Sequence, residues 1–143
     1  LISDIYKVPT DVRKERIQTF ATRFDLAEVL DKPMQSYSHG MRQKMMVAAA
    51  LVHDPAVWIL DEPLTGLDPK SAYNLKNMMR EHADAGNSVL FSTHVLEVAE
   101  KLCDKVIIIN QGKALFYGTL EELTTRYPDM DLEKIFLEMT AHE

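Results

Sequence analysis

Residues 57–63 read Val57-Trp58-Ile59-Leu60-Asp61-Glu62-Pro63, and this stretch decides the fold. Four apolar residues are followed directly by two adjacent carboxylates. An apolar run without polar alternation is typical of a strand that is buried on both faces, as in a parallel sheet. Parallel sheets bind their ligands beyond the carboxyl ends of their strands, so we expect Asp61 and Glu62 to lie at the floor of a site.

The two carboxylates have the chemistry that nucleotide hydrolysis needs. A first carboxylate, here Asp61, can hold Mg²⁺, and a second, here Glu62, can orient or deprotonate a water molecule. The alternative is that both residues only form the polar end of a strand. The run by itself leaves the two interpretations open, and the segments around it favour the first.

Three further segments accompany this strand. Upstream lies Ser38-His39-Gly40-Met41-Arg42-Gln43-Lys44, downstream lies Thr65-Gly66-Leu67-Asp68-Pro69, and a second apolar run ends in Ser92-Thr93-His94. In this order the four segments resemble the signature motif, the Walker B strand, the D-loop and the switch His of the nucleotide-binding domain of ATP-binding cassette (ABC) transporters. The resemblance covers nearly the whole chain and is nearest to the ATPase subunits of bacterial ABC-2-type exporters.

The resemblance implies a role for each motif. Asp61 resembles the residue that holds Mg²⁺, through water, and Glu62 resembles the catalytic residue that polarises the attacking water. His94 resembles the catalytic switch residue that hydrogen-bonds the γ-phosphate, although a lone His after a strand is ordinarily only a loop residue. Asp68 is expected to be both a helix N-cap and the D-loop contact across a dimer.

The signature-like segment supplies the other candidate nucleotide-binding residues, Ser38, His39, Gly40 and Met41. Ser38 offers a hydroxyl and Gly40 lets backbone N–H groups approach a ligand, at a helix N-terminus that favours anions. An ordinary Ser cap without a ligand is the alternative. Compared with the family consensus Leu-Ser-Gly-Gly-Gln, His39 replaces the first Gly and Met41 replaces the Gln.

The sequence contains no Walker A loop. That loop needs Gly, four residues and then Gly-Lys-Ser/Thr. Gly112-Lys113 does not qualify, because Ile107 stands where the first Gly belongs and Ala114 replaces the hydroxyl residue. A turn between two strands is expected there instead. Since the chain also begins at Leu1 without an initiator Met, we interpret it as the C-terminal part of a larger ATPase, inactive by itself.

Composition is typical of a globular protein and excludes several classes. The 143 residues are 46% hydrophobic and 27% charged, which suits one domain with a sizeable core. No apolar run approaches the ~20 residues of a membrane span, and no signal peptide is visible. The net charge of −6 argues against a general nucleic-acid-binding surface. Cys103, the single cysteine, fits a reducing cytosol.

Hydrophobic periodicity and capping residues predict an α/β fold. We expect a partial P-loop NTPase-like parallel sheet flanked by helices, with residues 1–54 as a helical signature subdomain and residues 55–143 as part of the ATPase core. The predicted helices are 11–24 (N-cap Thr10), 26–30, 39–53 (N-cap Ser38), one from Pro69 to about Gly86, 95–102, one from Thr119 and 131–139; the predicted strands are 56–60, 88–92, 105–110 and an antiparallel 114–117.

The resemblance also predicts a fault in the sheet. In the family's topology the strand before Walker A lies between the strands that correspond to 88–92 and 105–110. Without it, we expect a second copy to fill the gap, the two strands to close up, or the missing residues to be present in another chain. A single ordered chain with both edges open would argue against that topology.

The predicted function is that of an ATP-binding and ATP-hydrolysing subunit of an ABC transporter. The resemblance implies ATP and Mg²⁺ as cofactors, a second nucleotide-binding domain in a head-to-tail dimer, and a transmembrane permease, with no nucleic acid. It also implies a cytoplasmic location, peripheral on the inner face of the cell membrane. The alternatives are a soluble ABC-type ATPase that acts on nucleic acid or ribosomes, and a non-catalytic scaffold fragment.

Overall fold

The computed structural model describes residues 2–141, and the chain forms two compact units that meet in sequence between Ser92 and Thr93. This division falls later than the boundary predicted after residue 54, so the signature segment and the Walker B strand lie in the same unit. The predicted division concerns the subdomains of the family and stays a prediction.

The described residues of the first unit form four α-helices and a two-stranded parallel sheet. Short 3-10 helices at Ala27–Val29 and Met34–Ser36 lie between the second and third helices. The elements are α1 Ile2–Ile5, α2 Thr10–Arg23, α3 His39–Leu51, β1 Val57–Leu60, α4 Pro69–Asp84 and β2 Ser88–Phe91.

The parallel sheet is buried on one face only. Strands β1 and β2 pair in register from Val57 opposite Ser88. On one face Trp58 is fully buried and packs edge-on against His82 of α4. On the other face Val57 and Ile59 are 56% and 69% exposed. The prediction that this strand is buried on both faces is therefore wrong for the described chain. An apolar sequence does not show whether one or both faces of a strand are covered by other elements.

Helix boundaries follow local signals, with small errors at the ends. Thr10 was expected to be the N-cap of α2, but it is the first helical residue and Pro9 holds the cap position without a side-chain bond. Gly86 follows the end of α4 with φ +93°, the left-handed backbone that glycine adopts easily. The N–H of Gly86 donates to the carbonyl of Ala83, as expected for a residue that ends a helix.

The second unit packs helices against an antiparallel hairpin. Gln111 and Gly112 form the turn, with φ of 45° and 77°, as the tight hairpin turns require. The predicted turn between two strands is confirmed, and Lys113 begins the second strand directly after it. Val106, Phe116 and Leu123 are among the residues of its core. The elements are α5 Leu96–Leu102, β3 Lys105–Asn110, β4 Lys113–Thr119, α6 Leu120–Arg126 and α7 Leu132–Ala141.

Strands β2 and β3 belong to different sheets. Within the described residues β2 pairs only with β1, and β3 pairs only with β4. The expectation that the two strands close up on each other is therefore wrong. Among the described residues, each strand of both sheets therefore has one edge without a partner strand.

Candidate functional site

The two carboxylates of the predicted site follow β1 directly, and the residue that follows β2 is bonded to them. The Ser92 hydroxyl donates to Oδ1 of Asp61 at 2.5 Å, within the range for a bond to a carboxylate. The same Oγ accepts the backbone N–H of Glu62 at 2.9 Å. The N–H of Ser92 donates to the carbonyl of Leu60 at 3.0 Å. Ser92 is thus bonded to three consecutive residues of the β1 end.

Glu62 has an unusual backbone conformation. Its φ is +44°, in the left-handed region that costs a residue with a side chain roughly 1–2 kcal/mol. The Thr65 hydroxyl donates to Oε2 of Glu62 at 3.4 Å, and the Thr65 N–H donates to the Glu62 carbonyl at 3.2 Å. Glu62 is half-buried and Asp61 is exposed. The strand end therefore presents two oriented carboxylates to water.

The signature-like segment forms the predicted helix start. Ser38 is the N-cap of α3, and its Oγ accepts the N–H of Met41 at 3.2 Å. Ser38 and His39 are exposed, while Gly40 and Met41 are half-buried. The cap is confirmed. Contact of these residues with a nucleotide stays a prediction.

The start of α3 lies against the segment that follows the carboxylates. A Cβ on Gly66 would lie 2.8 Å from Cδ2 of His39, and a Cβ on Gly40 would lie 3.1 Å from the Gly66 carbonyl. The Gln43 side-chain amide donates to the carbonyl of Pro63 at 3.4 Å. The signature-like segment and the D-loop-like segment are therefore in direct contact within one chain.

Asp68 joins α3 to α4. Its Oδ1 accepts the Ser71 N–H at 2.9 Å, which confirms it as the N-cap of α4, and its Oδ2 accepts the Ser71 hydroxyl at 2.7 Å. The ammonium of Lys44 on α3 lies 2.8 Å from Oδ2. Lys44 first, and then the bonds from Ser71, hold the pKa of the Asp68 carboxyl well below its ordinary value.

Comparison with known proteins identifies the family. The sequence profile described as ABC transporter matches residues 3–65. "ABC transporter ATP-binding protein NatA" of Bacillus subtilis (strain 168) is 36% identical over 124 residues, covering 87% of this chain and 50% of that protein. "Nod factor export ATP-binding protein I" of Ralstonia nicotianae (strain ATCC BAA-1114 / GMI1000) is 31% identical over 131 residues, covering 92% of this chain and 41% of that protein.

A solved structure described as an ATP binding subunit of an ABC transporter superposes with a TM-score of 0.91 at 30% identity, covering 97% of this chain and 59% of that one. The chain belongs to the ABC transporter ATP-binding family. The recognition from four short motifs and the predicted α/β fold class are both confirmed. The chain spans about half the length of the curated relatives it matches.

His94, the other candidate catalytic residue besides Glu62, lies in the second unit. It is exposed and precedes α5 by two residues. The Thr93 hydroxyl oxygen accepts the N–H of Val95 at 3.0 Å, which shapes the chain between Thr93 and the helix. The role of His94 as the switch residue of the ABC family stays a prediction.

The residues of this ABC domain fit a Mg²⁺-nucleotide by their chemistry. Mg²⁺ prefers hard oxygen ligands and is usually held by one or two protein carboxylates together with water and phosphate oxygens. Asp61 and Glu62 offer such carboxylates at the end of a parallel strand. Among residues 2–141, no three or more His, Cys, Asp or Glu side chains group as a ready metal site.

Three residues that contact the ABC motifs escape identification from sequence. The motif patterns assign no role to Ser92, Gln43 or Lys44. Their partners lie far along the chain; Ser92, for example, bonds to a residue 31 positions away. A polar side chain directly after a strand that neighbours Walker B is the one sequence signal that points to Ser92.

None of the helices described between residues 2 and 141 has the length and apolarity to span a membrane.

Proposed function

We propose that this chain is the C-terminal portion of an ATP-hydrolysing subunit of an ABC transporter of the ABC-2 exporter type. The main support is the pair Asp61 and Glu62, held at the carboxyl end of β1 by Ser92. One relative is named as a Nod factor export protein, which supports an exporter. The sequence match to NatA supports ATP binding.

In this proposal each residue acts at one of two ATP sites of a head-to-tail dimer. Asp61 would hold Mg²⁺ through water, and the metal would supply positive charge beside the phosphates. Glu62 orients the attacking water and accepts its proton, and His94 hydrogen-bonds the γ-phosphate. Ser38 and Gly40 cap the ATP bound to the partner subunit, where the N-terminus of α3 favours the phosphate anion.

The partners follow from this arrangement. The boundary with the second nucleotide-binding domain would include Ser38. It would also include His39, Met41 and Asp68. Closure of the dimer would move a transmembrane permease, so the complete subunit would work in the cytoplasm, peripheral on the inner face of the membrane. The acidic net charge of −6 supports the expectation that nucleic acid is not a partner.

Replacement of Glu62 by Gln in the complete subunit tests the proposal. The amide keeps the size of the side chain but cannot accept the proton, so ATP should still bind while turnover decreases by about 10²- to 10⁴-fold. Glu121→Gln, an exposed residue in the first turn of α6, is the matched control and should leave turnover unchanged. Near-normal turnover of the Glu62→Gln variant would assign the catalytic role to another residue.

The isolated chain should not hydrolyse ATP. A Walker A loop supplies most of the contacts to the β- and γ-phosphates, and the sequence of this chain contains none. An ATPase assay of the chain beside the complete subunit measures this directly. Mg²⁺-dependent turnover by the chain that disappears with Glu62→Gln would contradict the expectation.

A further inference from the structure

We propose that Ser92 is a positioning residue for ATP hydrolysis, which holds the Asp61 carboxylate and the Glu62 backbone in their working arrangement. The inference rests on the proposed function of those two carboxylates. The observation behind it is a single hydroxyl that bonds to both residues at once, at 2.5 Å and 2.9 Å.

The Ser92 hydroxyl donates one hydrogen bond and accepts another, each with a different residue. Its proton goes to Oδ1 of Asp61, which fixes the rotation of that carboxylate. Its oxygen accepts the N–H of Glu62. The backbone of Ser92 is itself fixed, because its N–H donates to the carbonyl of Leu60 at 3.0 Å. The hydroxyl therefore sits on a rigid extension of the sheet.

Glu62 needs such support because its backbone is in the left-handed region, with φ +44°. A residue with a side chain stays in that region only where its surroundings determine it. The bond from the Glu62 N–H to Ser92 is one such determinant. Without it, the backbone is freer to relax, and the carboxylate that orients the attacking water would move with it. Displacements of ~1 Å can decrease a rate by ~10²-fold.

A purely structural role for Ser92 makes a different prediction. If the hydroxyl only stabilised the end of β2, its loss would loosen residues 88–91 generally and affect binding and turnover together. A positioning role confines the effect to Glu62 and to the chemical step. The two roles can thus be separated by amide exchange and by kinetics.

The test compares Ser92→Ala, Ser92→Thr and Ser88→Ala in the complete subunit. Ser92→Ala removes the hydroxyl, Ser92→Thr keeps it, and Ser88 is an exposed serine at the other end of the same strand. For Ser92→Ala we expect kcat to decrease by about 10- to 100-fold with KM for ATP changed by less than about threefold. Ser92→Thr should restore most of the turnover, and Ser88→Ala should match the unaltered protein.

Hydrogen exchange of the nucleotide-free subunit gives a second readout that does not depend on activity. In Ser92→Ala the Glu62 amide should exchange about 2- to 10-fold faster, while residues 88–91 keep their protection. Unchanged Glu62 exchange, or normal kcat in Ser92→Ala, would overturn the proposal. If the unaltered subunit itself shows no turnover, the proposed function fails, and the exchange comparison still decides whether Ser92 holds Glu62.

Discussion

Both the backbone conformation at position 66 and the neighbouring His39 side chain favour glycine there. Its φ of +76° lies in the left-handed region, and a Cβ would lie 2.8 Å from Cδ2 of His39. Gly86 has a similar backbone, φ +93°, but a Cβ there would meet nothing within 4 Å. The two glycines therefore share the cost of a left-handed backbone, and only Gly66 adds a steric conflict.

We expect Gly66→Ala to destabilise the subunit more than Gly86→Ala. Both changes strain the backbone by roughly 1 kcal/mol, and overpacking against His39 adds about 1 kcal/mol to the first. Urea midpoints of the two variants measure the difference. In the background of His39→Gly, which removes the imidazole, the extra cost of Gly66→Ala should disappear. Equal midpoints for the two alanine variants would show that the His39 ring does not rest on Gly66.

Sequence alone could identify single residues whose partners are local. Ser38 and Asp68 cap helices through N–H groups three positions away, so the capping pattern predicts both. Ser92 and Lys44 contact residues of other elements, and their positions become visible only after the chain folds. The contact between His39 and Gly66 has the same origin.

At the scale of elements, the ion pair of Lys44 and Asp68 joins α3 to the start of α4. The Lys44 side chain is only 13% exposed, whereas that of Asp68 is 50% exposed. The bonds from Lys44 and Ser71 lower the pKa of Asp68 from its ordinary value of 3.8. A lowered folded-state pKa means that the charged carboxylate contributes stability above the unfolded-state value and loses it as the pH falls towards the folded-state value.

Asp68→Asn should therefore have a pH-dependent effect on stability. Asn keeps an oxygen that can cap α4 but has no charge for Lys44. The urea midpoint of the unaltered subunit should exceed that of the variant by a constant amount at neutral pH, and the gap should shrink below about pH 4. Asp68→Ala, which also loses the capping oxygen, should be less stable than Asp68→Asn at neutral pH. A gap that widens in acid would contradict this account.

Periodicity and capping predicted the type and order of the main elements, because these depend on neighbours along the chain. The hairpin of β3 and β4 is confirmed, and so is the helix after Thr119, where Thr119 and Glu122 form a capping box. The short helix α1 was not predicted, since Ile2–Ile5 offers only four residues of pattern. The prediction that both faces of β1 are buried is wrong, because burial depends on other parts of the chain.

At the scale of the whole molecule, both sheets end in strands that have an edge without a partner strand among residues 2–141. This is the outcome that argues against the family's topology, in which another strand lies between β2 and β3. The match to a solved ATP-binding subunit, with a TM-score of 0.91 over 97% of this chain, confirms the fold of the residues present and leaves that topology a prediction. We predict that further strands of a complete subunit pair with these edges.

The isolated chain should consequently associate with itself. Ile59 and Leu90 are opposite each other in the parallel register, and they are 69% and 54% exposed, so an apolar face borders the open edge of β2. Exposed apolar strands beside unpaired backbone groups favour pairing with another chain. Sedimentation at roughly 10–100 μM should show oligomers. Ile59→Lys and Leu90→Lys should reduce these oligomers. Lys76→Glu, at a half-buried position on α4, should not. A stable monomer throughout that range would mean that the strand edges are protected within the chain itself. The exposed face of Ile59 and Leu90 would then no longer support the family's topology.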